Sequence, residues 1–381
     1  MTTPLTIGMI SGTSLDGIDV AICRIEGHAQ DAKIELVAFD TVAYEPAVRQ
    51  ELLDLYEDSG NAVARLTSMN VVIGNAFAAA AIQVLEANGL SVDDVALVGS
   101  HGQTVWHQPE AESDLIIPST LQIGEASQIA AALNCTVVSD FRVADMAVGG
   151  QGAPLAAYMD WATFGSSTAN RCVQNIGGIG NVTWVPANGS VNDVIAFDTG
   201  PGNMLLDALI SRLTNGEKIY DADGAIGRNG KVNYDLLSEL MNDPYLDEAP
   251  PKTTGREYYG SAMVESILDR HTLDADLIAT VTAYTAHSIA DSYRRWLPEM
   301  PDEVYVNGGG ARNPLMMRML ADALDGIPVR ATDDLGITAD GKEAVLFALM
   351  AHDSLAGYPT NIPGATGAER GVSLGKVTKL S

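Results

Sequence analysis

The sequence predicts an α/β protein of two related domains, each with the element order βββαβαβα. Two observations carry that prediction. First, a glycine-rich strand–turn–strand hairpin occurs twice. One copy is Ile7-Gly8-Met9-Ile10-Ser11-Gly12-Thr13-Ser14-Leu15-Asp16-Gly17-Ile18-Asp19, running on into Val20-Ala21-Ile22. The other is Val173-Gln174-Asn175-Ile176-Gly177-Gly178-Ile179-Gly180-Asn181-Val182-Thr183-Trp184-Val185. The copies lie about 165 residues apart, longer than any solenoid period, which points to two domains rather than an array. Second, the order of strand and helix patterns restarts at the second hairpin. The chain has 381 residues, 46% hydrophobic and 19% charged, enough for two or three domains with ample core.

In the first half, residues 5–10, 18–25 and 33–44 read as strands, the third ending near Pro46. Helical pattern follows, clearest over 71–87, an Ala-rich stretch with Gly89 as its stop. Residues 95–98 read as a buried strand leading into Gly99-Ser100-His101-Gly102-Gln103, 137–141 as a further strand and 153–164 as a helix. In the second half the strands are 172–176, 181–185 and 194–197. Helices at 204–212, 236–241 and 274–297 follow. A strand at 304–306 is closed by Asn307-Gly308-Gly309-Gly310, then come a helix at 315–324, a strand at 329–332 and a helix at 342–352. Each half builds a mixed sheet flanked by helices. The expected first domain is 1–165 with the tail from about 355 to 381, and the second is 166–354. A Pro-rich loop at 244–254 is long enough to be functional. The tail, 357–381, reads as irregular.

The net charge of −27 and sequence pI near 4.3 disfavour nucleic acid and anionic membrane as partners, since both call for a basic face. They do not exclude ATP, whose charge can be met locally by metal and backbone amides. Cys23, Cys135 and Cys172 are odd in number and scattered, with no disulfide framework or metal spacing, so a reducing cytoplasm is expected. The start, Met1-Thr2-Thr3-Pro4-Leu5, has no basic region of a secretion signal. No uninterrupted apolar stretch approaches the ~20 residues of a membrane span.

Turns of Gly, Ser and Thr let backbone N–H groups converge on one anion. Two such turns facing each other would grip a polyphosphate, the geometry of a sugar kinase or actin-like ATPase. In the first turn the Thr13 and Ser14 hydroxyls and nearby amides would hold phosphate, with Asp16 or Asp19 placing a cation; the other reading is an ordinary tight hairpin. Gly177, Gly178 and Asn181 form the second turn. In Phe197-Asp198-Thr199-Gly200-Pro201-Gly202-Asn203, Asp198 falls at a strand's carboxyl end, where open α/β sheets bind ligands. The amides after it lead a helix and suit an oxyanion; alternatively Asp198 caps that helix. Arg142 offers a fork for a substrate oxygen, or it pairs with Asp145 under the turn Gly149-Gly150-Gln151-Gly152. Gly308, Gly309 and Gly310 suit a nucleoside platform or a plain loop. Glu343 suits a metal, or the favourable end of a helix dipole. The glycines at 224–231 have the wrong spacing for a P-loop, and Asp221-Ala222-Asp223-Gly224 lacks the remaining EF-hand ligands.

Taken together, these motifs resemble those of the anhydro-N-acetylmuramic acid kinase family, within the sugar kinase/heat-shock/actin superfamily. The resemblance spans nearly the whole chain. It rests on Ser11-Gly12-Thr13-Ser14-Leu15-Asp16-Gly17-Ile18-Asp19, Gly99-Ser100-His101-Gly102-Gln103-Thr104, Asp140-Phe141-Arg142 with Asp145, Gly149-Gly150-Gln151-Gly152-Ala153-Pro154-Leu155, Asn175-Ile176-Gly177-Gly178, the Asp198 motif and Pro251-Lys252-Thr253-Thr254-Gly255-Arg256-Glu257. It implies an actin-like ATPase, or ribonuclease H-like, fold around a nucleotide cleft. It also implies an ATP- and Mg²⁺-dependent reaction that opens a 1,6-anhydro sugar while phosphorylating O6. On the matching positions, Asp198 would be the base and, with Glu343, would hold the metal. Gly12, Thr13, Ser14, Leu15, Asp16, Gly17, Ile18 and Asp19, with Gly177, Gly178, Asn181, Gly200, Gly202 and Asn203, would cradle phosphate. Arg142 and Asp145 would position the sugar, and Lys252, Thr253 and Gly308 to Gly310 would close over the nucleotide. The family acts in cell-wall sugar recycling in the bacterial cytoplasm, and its members look like homodimers. The chain departs from the family pattern after Leu155, where Ala156-Ala157-Tyr158-Met159-Asp160 also looks like levoglucosan kinase, as does 250–256. The intact Gly149-Gly150-Gln151 and the compact length favour the muramic sugar. An actin- or chaperone-like ATPase would call for a separate binding domain, which the sequence does not display.

Overall fold

The computed structural model describes residues 3–12, 14–56, 61–332 and 341–380. Among them are the strands β1 (Leu5–Ser11), β2 (Ile18–Glu26), β3 (Lys33–Val42), β4 (Val95–Gln108), β5 (Ser119–Ile123), β6 (Thr136–Ser139), β7 (Arg171–Ile176), β8 (Ile179–Val185), β9 (Ile195–Pro201), β10 (Glu303–Asn307), β11 (Val329–Ala331) and β12 (Lys376–Thr378). The chain divides into two compact units, one of residues 1–163 with 340–381, the other of residues 164–339.

Each unit is built on its own sheet. In the first the order is β12-β6-β4-β1-β2-β3, with β5 on β4. β1, β2 and β3 run antiparallel, while β4 is parallel to β1 and β6 parallel to β4. In the second the order is β11-β10-β7-β8-β9, with β7, β8 and β9 antiparallel, β10 parallel to β7 and β11 parallel to β10. The two orders are the same topology, three hairpin-linked strands followed by two parallel additions. This is the actin-like, ribonuclease H-like fold expected from the repeated hairpin.

Helix Ala62–Ala87 covers one face of the first sheet. It buries Met69, Ile73, Phe77, Ala81 and Val84, the spacing of a single helical stripe. By length and composition it could cross a membrane, with mean hydropathy 1.5, yet half of that window is buried inside the protein. Helix Lys342–Leu355 packs on β1, β2 and β4 from the other face. Its close approach depends on paired glycines: Gly8 and Gly99 are in register, and a Cβ would lie 1.8 Å from the Ala344 carbonyl oxygen at Gly8 and 2.0 Å from the Phe347 carbonyl oxygen at Gly99. This helix therefore belongs to the first unit, whereas the sequence expectation carried the second domain through residue 354. In the second unit, helix Ala275–Trp296 starts at Asp274, whose side chain accepts from the Leu277 N–H at 3.0 Å, and ends with Arg294 and Arg295 in its last turn, both favourable placements.

Several elements differ from expectation, β5 and helices Ala126–Leu133 and Ser261–Leu268 among them. β4 runs on to Gln108 because β5 pairs with its distal half. The helical pattern expected after Pro46 begins with helix Pro46–Tyr56. The tail is ordered rather than irregular: β12 pairs antiparallel with β6, and Thr360, Asn361 and Thr366 are buried.

Candidate active site

In the first unit the β1–β2 turn is braced from within. The Ser11 hydroxyl donates to the Gly17 carbonyl (2.8 Å) and Leu15 N–H to the Gly12 carbonyl (3.2 Å). Leu15 is buried with φ +57°, and a Cβ at Gly17 would lie 2.8 Å from Thr41 Cγ2. Arg49 Nε donates to the Leu15 carbonyl (3.1 Å). Gln103, fully buried, donates to the Gly12 carbonyl (3.2 Å) and to Tyr56 Oη (3.0 Å), and accepts from Tyr44 (3.2 Å). Of the expected phosphate residues, Gly12, Ser14 and Asp16 are exposed, while Leu15, Gly17 and Ile18 point inward as bracing. Asp19 accepts from the Thr41 hydroxyl at 2.6 Å. Thr13 lies outside the described residues.

Arg142 and Asp145 do not pair. Arg142 Nε donates to His101 Nε2 (2.9 Å) and its Nη1 to the Gly152 carbonyl (2.7 Å). His101 Nδ1 lies 3.1 Å from the Gly102 carbonyl, which fits a neutral ring protonated at Nδ1 and accepting at Nε2. Burial, and then the Arg142 charge, push His101 down to about 3, so it stays neutral at working pH. Asp145 is 0% exposed. Its carboxylate takes the Gly152 N–H (2.8 Å), the Asn361 amide (2.7 Å) and the Thr366 hydroxyl (2.7 Å). Those contacts tie the Gly149–Gly152 turn to the tail. With no open surface, Asp145 acts on this turn as a brace. Glu343, at the start of helix Lys342–Leu355, is exposed, and its charge is felt by Arg142.

In the second unit three glycine turns are stitched together. The Gly202 and Met204 N–H groups donate to the Gly178 carbonyl (3.0 and 3.1 Å) and Asn203 N–H to the Gly177 carbonyl (2.7 Å). A Cβ at Gly202 would lie 2.2 Å from the Gly177 oxygen, and one at Gly310 would lie 2.3 Å from Ile176 Cγ2. Gly200, at φ +122°, passes close to Leu246 and Ser288. Gly200, Gly202 and Gly310 are buried and serve this packing, whereas Gly178 and Gly309 are exposed. A pocket of about 320 Å³ opens beside them, lined by Asn203, Asp207, Tyr220, Gly309 and Arg312. Burial raises Asp207 to about 6.

Asp198 lies on β9, with Asn181 of β8 as its register partner. Thr254 N–H donates to its Oδ2 (2.9 Å); Oδ1 has no hydrogen-bond donor among the described residues. Burial raises its pKa to about 6, partly offset by the Thr254 amide and the Lys252 charge. Lys252 is 5% exposed. Its ammonium donates to the Tyr245 carbonyl (3.2 Å) and lies over the Tyr245 and Trp296 rings (4.6 and 5.7 Å). Lys252 is an anchor of this loop, and its carbonyl accepts the Asp198 N–H (3.2 Å). Thr253 is exposed beside it. The loop is held by Asp243, which accepts from the hydroxyls of Tyr258, Tyr259 and Tyr284 at 2.5, 2.7 and 2.8 Å.

The family model described as anhydro-N-acetylmuramic acid kinase matches residues 4–379. The chain belongs to the anhydro-N-acetylmuramic acid kinase family. It is 42% identical over 382 aligned residues to the anhydro-N-acetylmuramic acid kinase of Caldanaerobacter subterraneus subsp. tengcongensis, covering 98% of this chain and 96% of that protein. It is 43% identical to the protein of that name from Synechococcus elongatus, covering 97% and 98%.

In this member of the anhydro-N-acetylmuramic acid kinase family, several site residues carried no role from sequence. Gln103 lay inside a quoted motif, but its anchoring of the phosphate turn depends on Tyr44 and Tyr56. Asp207 was not singled out, although its place one helical turn beyond Asn203 was the signal that could have found it. Thr254, adjacent to the expected Thr253, supplies the amide that holds Asp198. The Asp243–tyrosine cluster had no local signal, since its members meet only after folding.

Proposed function

We propose that the protein is an ATP-dependent kinase that hydrolytically opens the 1,6-anhydro ring of 1,6-anhydro-N-acetylmuramic acid and phosphorylates O6, giving N-acetylmuramate 6-phosphate and ADP. The observation that carries the reading is Asp198: a half-buried carboxylate at the carboxyl end of β9, poised at about 6, with one oxygen held and the other without a donor among the described residues. A 1,6-anhydro sugar has no 6-hydroxyl to deprotonate, so the base must act on water. Asp198 takes a proton from a water molecule as its oxygen attacks C1. The C1–O6 bond breaks, O6 bonds to the γ-phosphorus, and the bond from γ-phosphorus to the bridging oxygen breaks to release ADP. The proton on Asp198 then returns to solvent. The exposed β1–β2 turn suits the phosphates. The pocket of Asn203, Asp207 and Gly309 suits the nucleoside. The guanidinium of Arg142, pinned to neutral His101, gives a fixed cation on the sugar side.

Oxygen donors suited to Mg²⁺ occur in each unit taken by itself: Asp16 and Glu343 are exposed carboxylates of the first, and in the second Asp198 keeps one oxygen with no donor among the described residues, the kind of hard ligand this ion takes beside phosphate. When bound, the ion would neutralise charge building on the transferring phosphoryl group. The family resemblance further supports a homodimer working in the bacterial cytoplasm in recycling of cell-wall amino sugar.

The test is an ADP-release assay in ¹⁸O-water with 1,6-anhydro-N-acetylmuramic acid and levoglucosan side by side. The expected result is faster ADP release with the muramic sugar and label at C1 of the product. Label on phosphate, or ADP release indifferent to sugar, would overturn the reading.

A further inference from the structure

His28 and His352 stand near opposite ends of the chain. Within the first unit their rings stack, with centroids 4.5 Å apart and planes 22° from parallel. His28 follows β2, and His352 lies in the last turn of helix Lys342–Leu355. Tyr358 stacks on His28 at 5.1 Å. Beside them is Asp353, 0% exposed. Its Oδ1 accepts from His28 Nδ1 (3.0 Å), and its Oδ2 from the Tyr158 hydroxyl (2.6 Å) and the Ala29 N–H (3.2 Å). A buried carboxylate is ordinarily met by a cation or a bound metal; Asp353 has an imidazole, and no lysine or arginine among the described residues.

The donor atoms of His28, His352 and Asp353 lie within 4.8 Å of one another. Two ligands about 2.0 Å from a tetrahedral ion stand about 3.3 Å apart. The 3.0 Å between His28 Nδ1 and Asp353 Oδ1 is close to that spacing, and a small ring rotation of the partly exposed His352 closes the rest. An ion there takes the place of the proton that His28 and Asp353 share. The outer contacts suit ligation, since bound metals keep ligands whose other atoms are held by the protein. Tyr158 and the Ala29 N–H hold Asp353 Oδ2. His352 Nε2 lies 3.0 Å from the Gly27 carbonyl; a carbonyl only accepts, so that nitrogen carries the proton and Nδ1 is left bare for an ion. Two imidazoles and one carboxylate suit Zn²⁺ and its neighbours in the first transition row better than Mg²⁺ or Ca²⁺, which take oxygen. We propose that His28, His352 and Asp353 bind a divalent transition-metal ion of the Zn²⁺ type, with water completing its tetrahedron, and that the ion clips the segment after β2 to the end of helix Lys342–Leu355. The site is separate from the residues assigned to phosphoryl transfer: Glu343 lies in the first turn of that helix and His352 in its last, roughly 14 Å along the axis.

The test uses the full-length protein, stripped with EDTA and then held in excess Mg²⁺ so that hard oxygen donors are filled. Zn²⁺ binding is read by equilibrium dialysis and Co²⁺ binding by visible absorption. The parent protein is expected to bind one Zn²⁺ per chain that Mg²⁺ does not displace, to show the intense bands of tetrahedral Co²⁺, and to melt at a higher temperature with Zn²⁺ than without it. In His28→Gln and His352→Gln the Kd for Zn²⁺ is expected to weaken by more than the roughly 10–100-fold that loss of an outer-shell partner costs, and the Co²⁺ bands to vanish. Far-UV circular dichroism in EDTA checks that each variant folds. The parent's Co²⁺ spectrum decides even without them: the weak bands of octahedral, oxygen-bound Co²⁺ alone would overturn the site. So would a Zn²⁺ affinity shared by the parent and both variants, or no Zn²⁺ binding at all.

Discussion

Asp198 shows how one side chain is tuned. Burial alone disfavours its charge, while the Thr254 N–H and the Lys252 ammonium favour it, and the balance lies near 6. At neutral pH the group is mostly ionised and still a usable base. The activity of a base belongs to its deprotonated form, so kcat/KM is expected to plateau above neutrality and fall as pH drops through about 6. A pH–rate profile with no acid limb there would remove Asp198 from the chemistry. Asp198→Asn keeps an acceptor for the Thr254 amide but cannot take a proton; kcat is expected to fall by roughly 10²–10⁴-fold, and the limb to vanish. Stability should move the other way. A carboxylate whose folded pKa is raised weakens the fold where it is ionised, so the Asn variant is expected to melt at the same temperature or higher above pH 6. A large drop in melting temperature would mean that the residue is structural.

At the scale of elements, the glycines of β1 and β4 matter for space rather than for backbone freedom. Neither Gly8 nor Gly99 has a positive φ, yet a Cβ at either would meet backbone of helix Lys342–Leu355 at 2.0 Å or less. Helix backbone cannot rotate aside as a side chain can, so the helix would have to shift bodily, carrying Glu343 with it. Gly99→Ala is expected to cost about 1–3 kcal/mol, as overpacking does, which lowers the apparent melting temperature by roughly 3–10 °C; a scanning melt checks it, and an unchanged melting temperature would refute the contact. This also marks the limit of what sequence made legible. The hairpins, the three-strand openings of both units and the long helix followed from local pattern. The side taken by helix Lys342–Leu355 did not, because it depends on glycines far away in the chain. β12 and the ordered tail escaped notice for the same reason, since they are held by pairing with β6 and by Asp145. The burial of the Lys252 ammonium was not legible because its surroundings, Tyr245 and Trp296, lie away from it in sequence.

Across the whole molecule, the shared sheet topology leaves the two units different work. The first carries the tail and the second sheet extension, β5; the second carries the long insertion between β9 and β10 that holds Asp198 in place. Both share a heavy excess of acid, with 49 Asp and Glu against 22 Lys and Arg. Charge of one sign raises the energy of the compact state, because folding brings those groups together. Salt should relieve it. The screening length shrinks from about 30 Å at 0.01 M to about 10 Å at 0.1 M and 3 Å at 1 M, so most long-range repulsion is screened in the first tenfold step. Exposed ion pairs such as Arg24–Glu35 and Arg330–Glu303 are weakened by the same salt, but each contributes only about 0–1 kcal/mol. Repulsion therefore outweighs them. The melting temperature is expected to rise with sodium chloride at fixed pH, steeply to about 0.1 M and more slowly beyond. A fall with salt across that range would mean that local pairs, not the net charge of −27, govern the electrostatic part of stability.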